Sequence, residues 1–424
     1  MKNTSLLIAG LLMFGVQVLS AIHFPLSAEE AYYWTWSRQL SLGYWEHPPI
    51  IAYGISFASL IFGKTVLAVR LPGILLYCLS AYLLSRAAKK PLLCFLFLST
   101  LPFFGQYGME AHPNMYVMSF ICISVWSLYK ENYFVLSLAL AATVLSSANG
   151  WIFFCLCFLS LLWLSPKKQI LMAIGGSTFL CSPFLYWFVG HQEFPMGFGV
   201  EAPPLSVFTE SIETLSVVGS VVIIPFLRPQ NEREKWLWAV SILGLTLCIS
   251  SWVAASFLAP ILGVLGCFYL IQRFPTRLTW SLLGIHIFLF VSFKLQLHFQ
   301  IFPRAVPPAH RFNGGSIIAD AVSAWNIEDI WTASPYDAAW IRFYSDKEAH
   351  TASQFGTKSQ FDLWPKKIPD SGIFVQDQSS LFQLKGYSLH NPQQIAAYMD
   401  GLKEGQFVET NIWKTVVFSR IIED

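Results

Sequence analysis

The stretch LSAEEAYYWTWSRQLSLGYWEHPP, residues 26–49, decides how the chain is read. It gathers Glu29, Glu30 and Glu46, Arg38 and His47, three Trp and three Tyr between two apolar runs. Acids this close to a bilayer are costly and mark function. An amphipathic surface helix with a Trp/Tyr belt at the headgroups is the plainer alternative. A belt, however, needs neither a Glu-Glu pair nor Glu-His-Pro-Pro.

Working outward, the surroundings are those of an integral membrane protein. The 424 residues are 54% hydrophobic and only 12% charged, against about 25% charged in soluble domains. The net charge is +2, and no basic patch suits a nucleic acid. All eight Cys lie in apolar segments, where thiols act as small core residues. Neither a disulfide nor a zinc cluster is expected.

Apolar segments near 4–22, 66–85, 91–108, 114–129, 133–148, 151–164, 169–189, 212–227, 236–251, 252–271 and 278–297 read as spans, about eleven in all. The first could instead be a signal peptide; the segments after it favour a transmembrane helix. Residues 48–62 are apolar but short, as in a re-entrant or interfacial segment. Lys and Arg collect in one set of loops, at Lys2, Arg86, Lys89, Lys90, Lys130, Lys167, Lys168, Arg228, Arg233, Lys235, Arg273 and Arg277. The positive-inside rule makes that set cytoplasmic. The N-terminus is then inside, and residues 26–49 and the C-terminal tail are outside. Glu110, His112, His191, Glu193 and Glu201 join the outer loops. No Asp precedes Asp320, so carboxylate chemistry in the membrane part falls to Glu.

After residue 299 the composition changes. Residues 302–315 read as a linker. Beyond it, 316–325, 336–344 and 393–402 have helical spacing, and 329–332, 372–375 and 406–421 read as strand or hairpin. The expected fold class is therefore an all-α polytopic membrane domain, residues 1–299, carrying an outer loop at 23–65. A C-terminal extracytoplasmic α/β domain, residues 300–424, follows. There is no internal repeat, phosphate loop or dinucleotide fingerprint.

A cleft of carboxylates and aromatics at the membrane edge suits reactions on a lipid-carried polar substrate. A Glu can take the proton of an attacking hydroxyl, an acid with His can hold a divalent cation, and a cation can stabilise a departing phosphate. AEEAYYWTWSR (28–38), GYWEHPPI (43–50) and AVRLP (68–72) resemble the first outer loop of the GT-C glycosyltransferases. The similarity is to the bacterial branch related to protein O-mannosyltransferases (glycosyltransferase family 39) and lipid A aminoarabinose transferase. SPFLYW with His191 beyond it, then HRFNGGS (310–316), SPYDAAWIRFY (334–344) and SQFDLWP (359–365), resemble later blocks of that branch, in order.

The resemblance implies a GT-C membrane enzyme. It would move a sugar from a polyprenyl-phosphate donor to a glycan, lipid A or protein acceptor at the outer face of the bacterial inner membrane, with inversion. It implies Glu29 at the family's base position, normally Asp, with Glu30 beside it. It implies substrate contacts from Tyr32, Tyr33, Arg70, His112 and Asn114, and a possible divalent metal ion at Glu46, His47 and His191. Two positions depart from the family pattern. Asn114 stands where Asp is usual, and the turn Ser147-Ala148-Asn149-Gly150 lacks the usual Lys. Arg70 could equally snorkel, His191 could be an ordinary loop residue, and Glu110 with His112 could replace the missing Asp. The rival class is a polyprenyl-phosphate-binding protein or transporter that kept the fold without the chemistry.

Overall fold

The computed structural model describes residues 2–101, 108–163, 168–191, 276–299, 334–345, 347–352, 359–364, 371–377, 387–399 and 413–423. Short pieces at 229, 234–236, 238–243, 264–266, 268–269, 271–272, 322–323 and 330–332 complete the described set. The chain divides into two units. Unit 1 is Met1–Ala21, His47–Ile51 and Arg70–Lys294; unit 2 is Ile22–Glu46, Ala52–Val69 and Leu295–Asp424. The division is interleaved, whereas the sequence suggested one boundary near 299. Most of the first loop shares a unit with the tail.

The helices follow the apolar pattern. In chain order they are α1 Lys2–His23, α2 Ala28–Ser37, α3 Ile50–Phe62, α4 Val66–Ser85, α5 Pro91–Ser99, α6 Pro113–Tyr129, α7 Tyr133–Val144, α8 Ala148–Trp163, α9 Lys168–Leu180, α10 Ser182–Gly190 and α11 Thr276–Phe299. Leu11, Leu12 and Leu19 of α1 and Phe288 of α11 point outward, as lipid-facing side chains do. Among the described residues, Thr4–His23 and Val66–Ser85 are long and apolar enough to cross a membrane. The pair α9–α10, bent by 46°, makes a third if it is one span. Pro183 at the start of α10 cannot continue the hydrogen-bond ladder, which accounts for the break. The expected spans at 212–227, and most of 236–251 and 252–271, lie outside the described residues.

Several buried hydroxyls inside unit 1 are settled locally. Buried Ser85, Ser119, Thr143 and Ser177 each donate to a carbonyl three or four residues earlier, at 2.7 Å. Such back-bonding lets hydroxyls sit in an apolar bundle without a distant partner. The helices also approach closely. A Cβ on Gly176 would lie 2.6 Å from the Ser137 hydroxyl, and one on Gly150 only 1.8 Å from the Thr143 carbonyl oxygen. Gly150 thereby lets the turn at 145–149 fold back on the end of α7.

In unit 2 a five-stranded sheet has the order β2-β1-β3-β5-β4. Its strands are β1 Ile330–Thr332, β2 Ala349–His350, β3 Ser371–Asp377, β4 Tyr387–Met399 and β5 Trp413–Glu423. β1 runs parallel to β2 and β3, and β5 is antiparallel to β3 and β4. Helix α12, Pro335–Tyr344, starts at Ser334, whose hydroxyl accepts from the Tyr336 amide at 3.2 Å, with Pro335 in its first turn. This agrees with the helix expected over 336–344. The helix expected over 393–402 is corrected, because 393–399 belong to β4. Asn391-Pro392 looked like a helix start, but β4 is an edge strand and its register shifts between His390 and Gln393. Proline's missing N–H is tolerated at such an irregularity. The helix expected at 316–325 lies almost wholly outside the described residues.

Gly150→Ala should lower stability by about 1–3 kcal/mol, the range for forced overpacking, read as a reduced unfolding midpoint in detergent. A loss within a few tenths of a kcal/mol would show that the turn does not press on α7.

Candidate functional site

The first loop acquires its shape from a capped helix. Ser27 starts α2: its hydroxyl accepts from the Glu30 amide at 3.3 Å, and the Glu30 carboxylate accepts from the Ser27 amide at 2.9 Å. This reciprocal capping box satisfies two amides that a helix start otherwise leaves open. Glu30 is buried and held in that role. Glu29, one residue earlier, is part-exposed in the same first turn. The two acids of the pair therefore differ in environment.

After α2 the chain turns back under a stack of rings. Trp36 lies flat on Tyr44 at 4.9 Å and 5°, and the Tyr44 hydroxyl donates to the Trp36 carbonyl at 3.2 Å. Tyr32 and Tyr33 are both buried. Their rings meet Trp36 edge-on, and Tyr32 also stacks on Phe361 at 5.9 Å and contacts Tyr336 at 5.6 Å. Both rings, offered by the sequence as substrate faces, are thus engaged in the packing of unit 2.

The segment 45–46 is gripped by the tail. The Gln360 side-chain carbonyl accepts from the Trp45 amide at 2.7 Å. The Gln360 amide donates to the Tyr32 hydroxyl at 2.7 Å, and that hydroxyl donates to Glu46 Oε1 at 2.9 Å. Ser359 and Asp362 form a second capping box that fixes this piece of tail, with the Ser359 amide 2.8 Å from the Asp362 carboxylate. Glu46 Oε2 is buried with no hydrogen-bond partner. Burial pushes the Glu46 carboxyl up to about 8; the Tyr32 hydrogen bond opposes that rise and the Asp362 charge adds a smaller one. Burial, and then the Glu46 charge, push the Tyr32 phenol well up.

Elsewhere in unit 2, Trp34 collects cations. Lys64 Nζ sits 5.5 Å and the Arg38 guanidinium 5.9 Å from its ring, within cation–π range. Lys64 also donates to the Ser345 carbonyl at 3.1 Å. Trp340 Nε1 donates to the Leu26 carbonyl at 3.2 Å, and the Leu26 amide meets the Tyr344 hydroxyl. Gln360, Phe361, Trp340 and Tyr344 thus build the loop's surroundings. The sequence reading assigned none of them to the site, although each lies in a block that it had quoted.

The remaining candidates fall in unit 1. Arg70 is 0% exposed and donates to the Ala21 carbonyl at 2.6 Å, in the last turn of α1. It does not snorkel; its charge lies against the negative end of a helix. Glu110 is also buried, and a Cβ added to Gly73, one turn from Arg70, would lie 3.6 Å from the Tyr116 ring and 3.9 Å from the Glu110 carbonyl. Lys294 donates to Gln17 Oε1 at 3.3 Å and feels the charges of Glu110 and Arg70. His112 starts α6, its Nδ1 accepting from the Asn114 amide at 3.2 Å. Asn114 Oδ1 accepts from Asn149 Nδ2 at 2.7 Å and from the Ser147 hydroxyl at 3.1 Å.

His191 ends α10, its Nδ1 2.8 Å from the Trp187 carbonyl and its ring stacked on Trp187 at 4.3 Å. Among the described residues no group of three or more His, Cys, Asp or Glu side chains could hold a metal ion. Glu193 and Glu201 lie outside the described residues. Of the residues offered for a metal, Glu46 falls in unit 2 and His47 and His191 fall in unit 1.

The high Glu46 value sets a pH dependence. The folded state holds the proton more tightly than the unfolded chain, so this contribution is fully present below the ordinary carboxylate range. It is lost as pH rises towards about 8. The wild type should therefore lose unfolding temperature relative to Glu46→Gln across that window. Parallel profiles for the two proteins would show that the carboxyl is not held in this way.

Comparison with known proteins fits this geometry. Residues 46–187 match the family model described as dolichyl-phosphate-mannose-protein mannosyltransferase. Lipid A galacturonosyltransferase RgtD of Rhizobium johnstonii is 31% identical over 90 residues, 21% of this chain and 19% of that protein. The match thus spans about a fifth of that relative. The crystal structure of apo ArnT from Cupriavidus metallidurans superposes with a TM-score of 0.64 at 13% identity, covering 97% of each chain. The same protein bound to undecaprenyl phosphate gives 0.58 at 12% identity, again over 97% of each. The likeness to ArnT runs through nearly the whole chain, and the protein shares that fold.

Proposed function

We propose that the protein transfers a sugar from a polyprenyl-phosphate carrier to an acceptor hydroxyl. The acceptor is lipid A, a polysaccharide or a protein, and the reaction takes place at the outer face of the bacterial inner membrane. The observation that carries this reading is the first-loop acid pair, Glu29 and Glu46, on a chain with the GT-C fold. Glu46 is fixed by Tyr32 with one oxygen uncommitted, and Glu29 is part-exposed at a helix start. The match to a lipid A galacturonosyltransferase and the fold shared with an undecaprenyl-phosphate complex support the substrate class. About eleven spans, a cytoplasmic N-terminus and an extracytoplasmic tail belong to the same proposal. They rest on the apolar segments and on the Lys/Arg distribution.

In the transfer, Glu29 takes the proton of the acceptor hydroxyl as its oxygen attacks the anomeric carbon. The bond from that carbon to the carrier phosphate oxygen breaks, and polyprenyl phosphate leaves with the electron pair. A single displacement inverts the anomeric centre. Asn114 cannot act as a base, and Glu30 is committed to its cap. Arg70 and Lys294 bring positive charge to unit 1 that suits the carrier phosphate. A positioned general base is worth about 10²–10⁴-fold in rate.

Glu29→Gln should lower transfer of radiolabelled sugar from the polyprenyl-phosphate donor by about that factor, with the fold and donor binding intact. Glu30→Gln should instead lower the unfolding temperature through the lost cap. Wild-type transfer in Glu29→Gln, with an inactive but stable Glu30→Gln, would reverse the two roles.

A further inference from the structure

In unit 1 two helix starts meet. α6 begins at Pro113 and α8 at Ala148, and the second residue of each is an Asn. At each start a side chain two residues earlier accepts the Asn amide: His112 Nδ1 for Asn114, and the Ser147 hydroxyl for Asn149 at 3.2 Å. The side chains then join, because Asn114 Oδ1 receives both Asn149 Nδ2 and Ser147 Oγ. These contacts fix the amide orientations, since turning Asn149 over would set two carbonyl oxygens against each other. One atom is left over. Asn149 is 3% exposed, and its Oδ1 accepts no hydrogen bond. A buried carbonyl without a donor is costly, and folded proteins keep few of them.

The leftover valences define a ligand. Asn149 Oδ1 can only accept. With its own oxygen committed, Asn114 can offer only the N–H of its amide. Asn114 is also part-exposed, so the cluster opens on one side. One acceptor beside one donor matches a hydroxyl, which gives one proton and accepts another. The pair does not match a carboxylate, which Asn149 Oδ1 would repel. It does not match an ammonium either, which would require an acid beside it. The Ile50 amide donates to the Leu145 carbonyl at 3.1 Å, which sets this turn against the segment that directly follows Glu46 and His47.

We propose that Asn114, Ser147 and Asn149 form a subsite for the C6 hydroxyl of the transferred sugar, and so select a neutral hexose over a uronic acid, whose C6 is a carboxylate. The identity of the ligand as a carried sugar rests on the reading above; the acceptor–donor pair does not.

The test uses the purified full chain and three probes: undecaprenyl phosphate, its glucose derivative and its glucuronate derivative. The glucose derivative should bind about tenfold more tightly than the glucuronate one, the scale of one well-made hydrogen bond. Asn149→Ala should erase that preference and leave the affinity for bare undecaprenyl phosphate unchanged. Equal binding of the two derivatives by wild type, or tighter binding of the glucuronate, overturns the subsite while the carrier reading stands. That comparison needs no variant to fold. If none of the three probes binds, the carrier reading fails and the subsite falls with it.

Discussion

The Tyr32 hydroxyl must satisfy two partners at once. It accepts the amide of Gln360, 328 residues further along the chain, and gives its proton to Glu46. Gln360 in turn holds the Trp45 amide with its side chain. The result is a closed ring of hydrogen bonds through Gln360, Tyr32, Glu46 and Trp45, in surroundings where water is largely absent. Buried hydrogen bonds of this kind strengthen one another, and loss of one leaves its partners unsatisfied. The orientation of the first-loop acid is therefore a property of the loop and the tail together. This explains why unit 2 contains both and why the tail segment carries its own capping box.

Much of this was legible and some was not, for physical reasons. Apolar length located α1, α4, α6 and α11 to within a few residues, because the bilayer imposes length and hydropathy on each segment separately. The capping role of Glu30 was legible. Ser27-x-x-Glu30 is a capping-box signature, and Ser359-x-x-Asp362 has the same spacing. The part played by Gln360 could not be read, since its partners are chosen by the fold rather than by neighbours in sequence. The error at 393–399 has the same origin: local helix signals yielded to pairing with β5, which lies more than a dozen residues further on.

Unit 1 shows how charge is carried inside a bundle. The Arg70 guanidinium lies on the last turn of α1, Lys294 meets Gln17, and Glu110 balances part of the two positive charges. Burying ions is costly, and the cost is offset only by good geometry and nearby opposite charge. Among the described residues a polar atom beside them, Gln17 Nε2, remains buried without a hydrogen bond. Ser85, Ser119, Thr143 and Ser177 do not share this burden, because each turns back on its own helix. The buried charges are thus the polar elements of the bundle whose cost local bonding cannot remove.

The acids available for proton transfer narrow by elimination. No Asp precedes Asp320, and Asn114 has no proton to accept or release in the working range. Glu30 is closed in its cap, and Glu110 is buried among the charges of unit 1. Glu46 titrates near 8 and is mostly protonated at neutral pH, which suits a hydrogen-bond donor better than a base. Under the proposed function, Glu29, the part-exposed acid of the first turn of α2, is the acid of the described first loop left to take a proton, and its separation in role from Glu30 follows from a cap that needs only one of them.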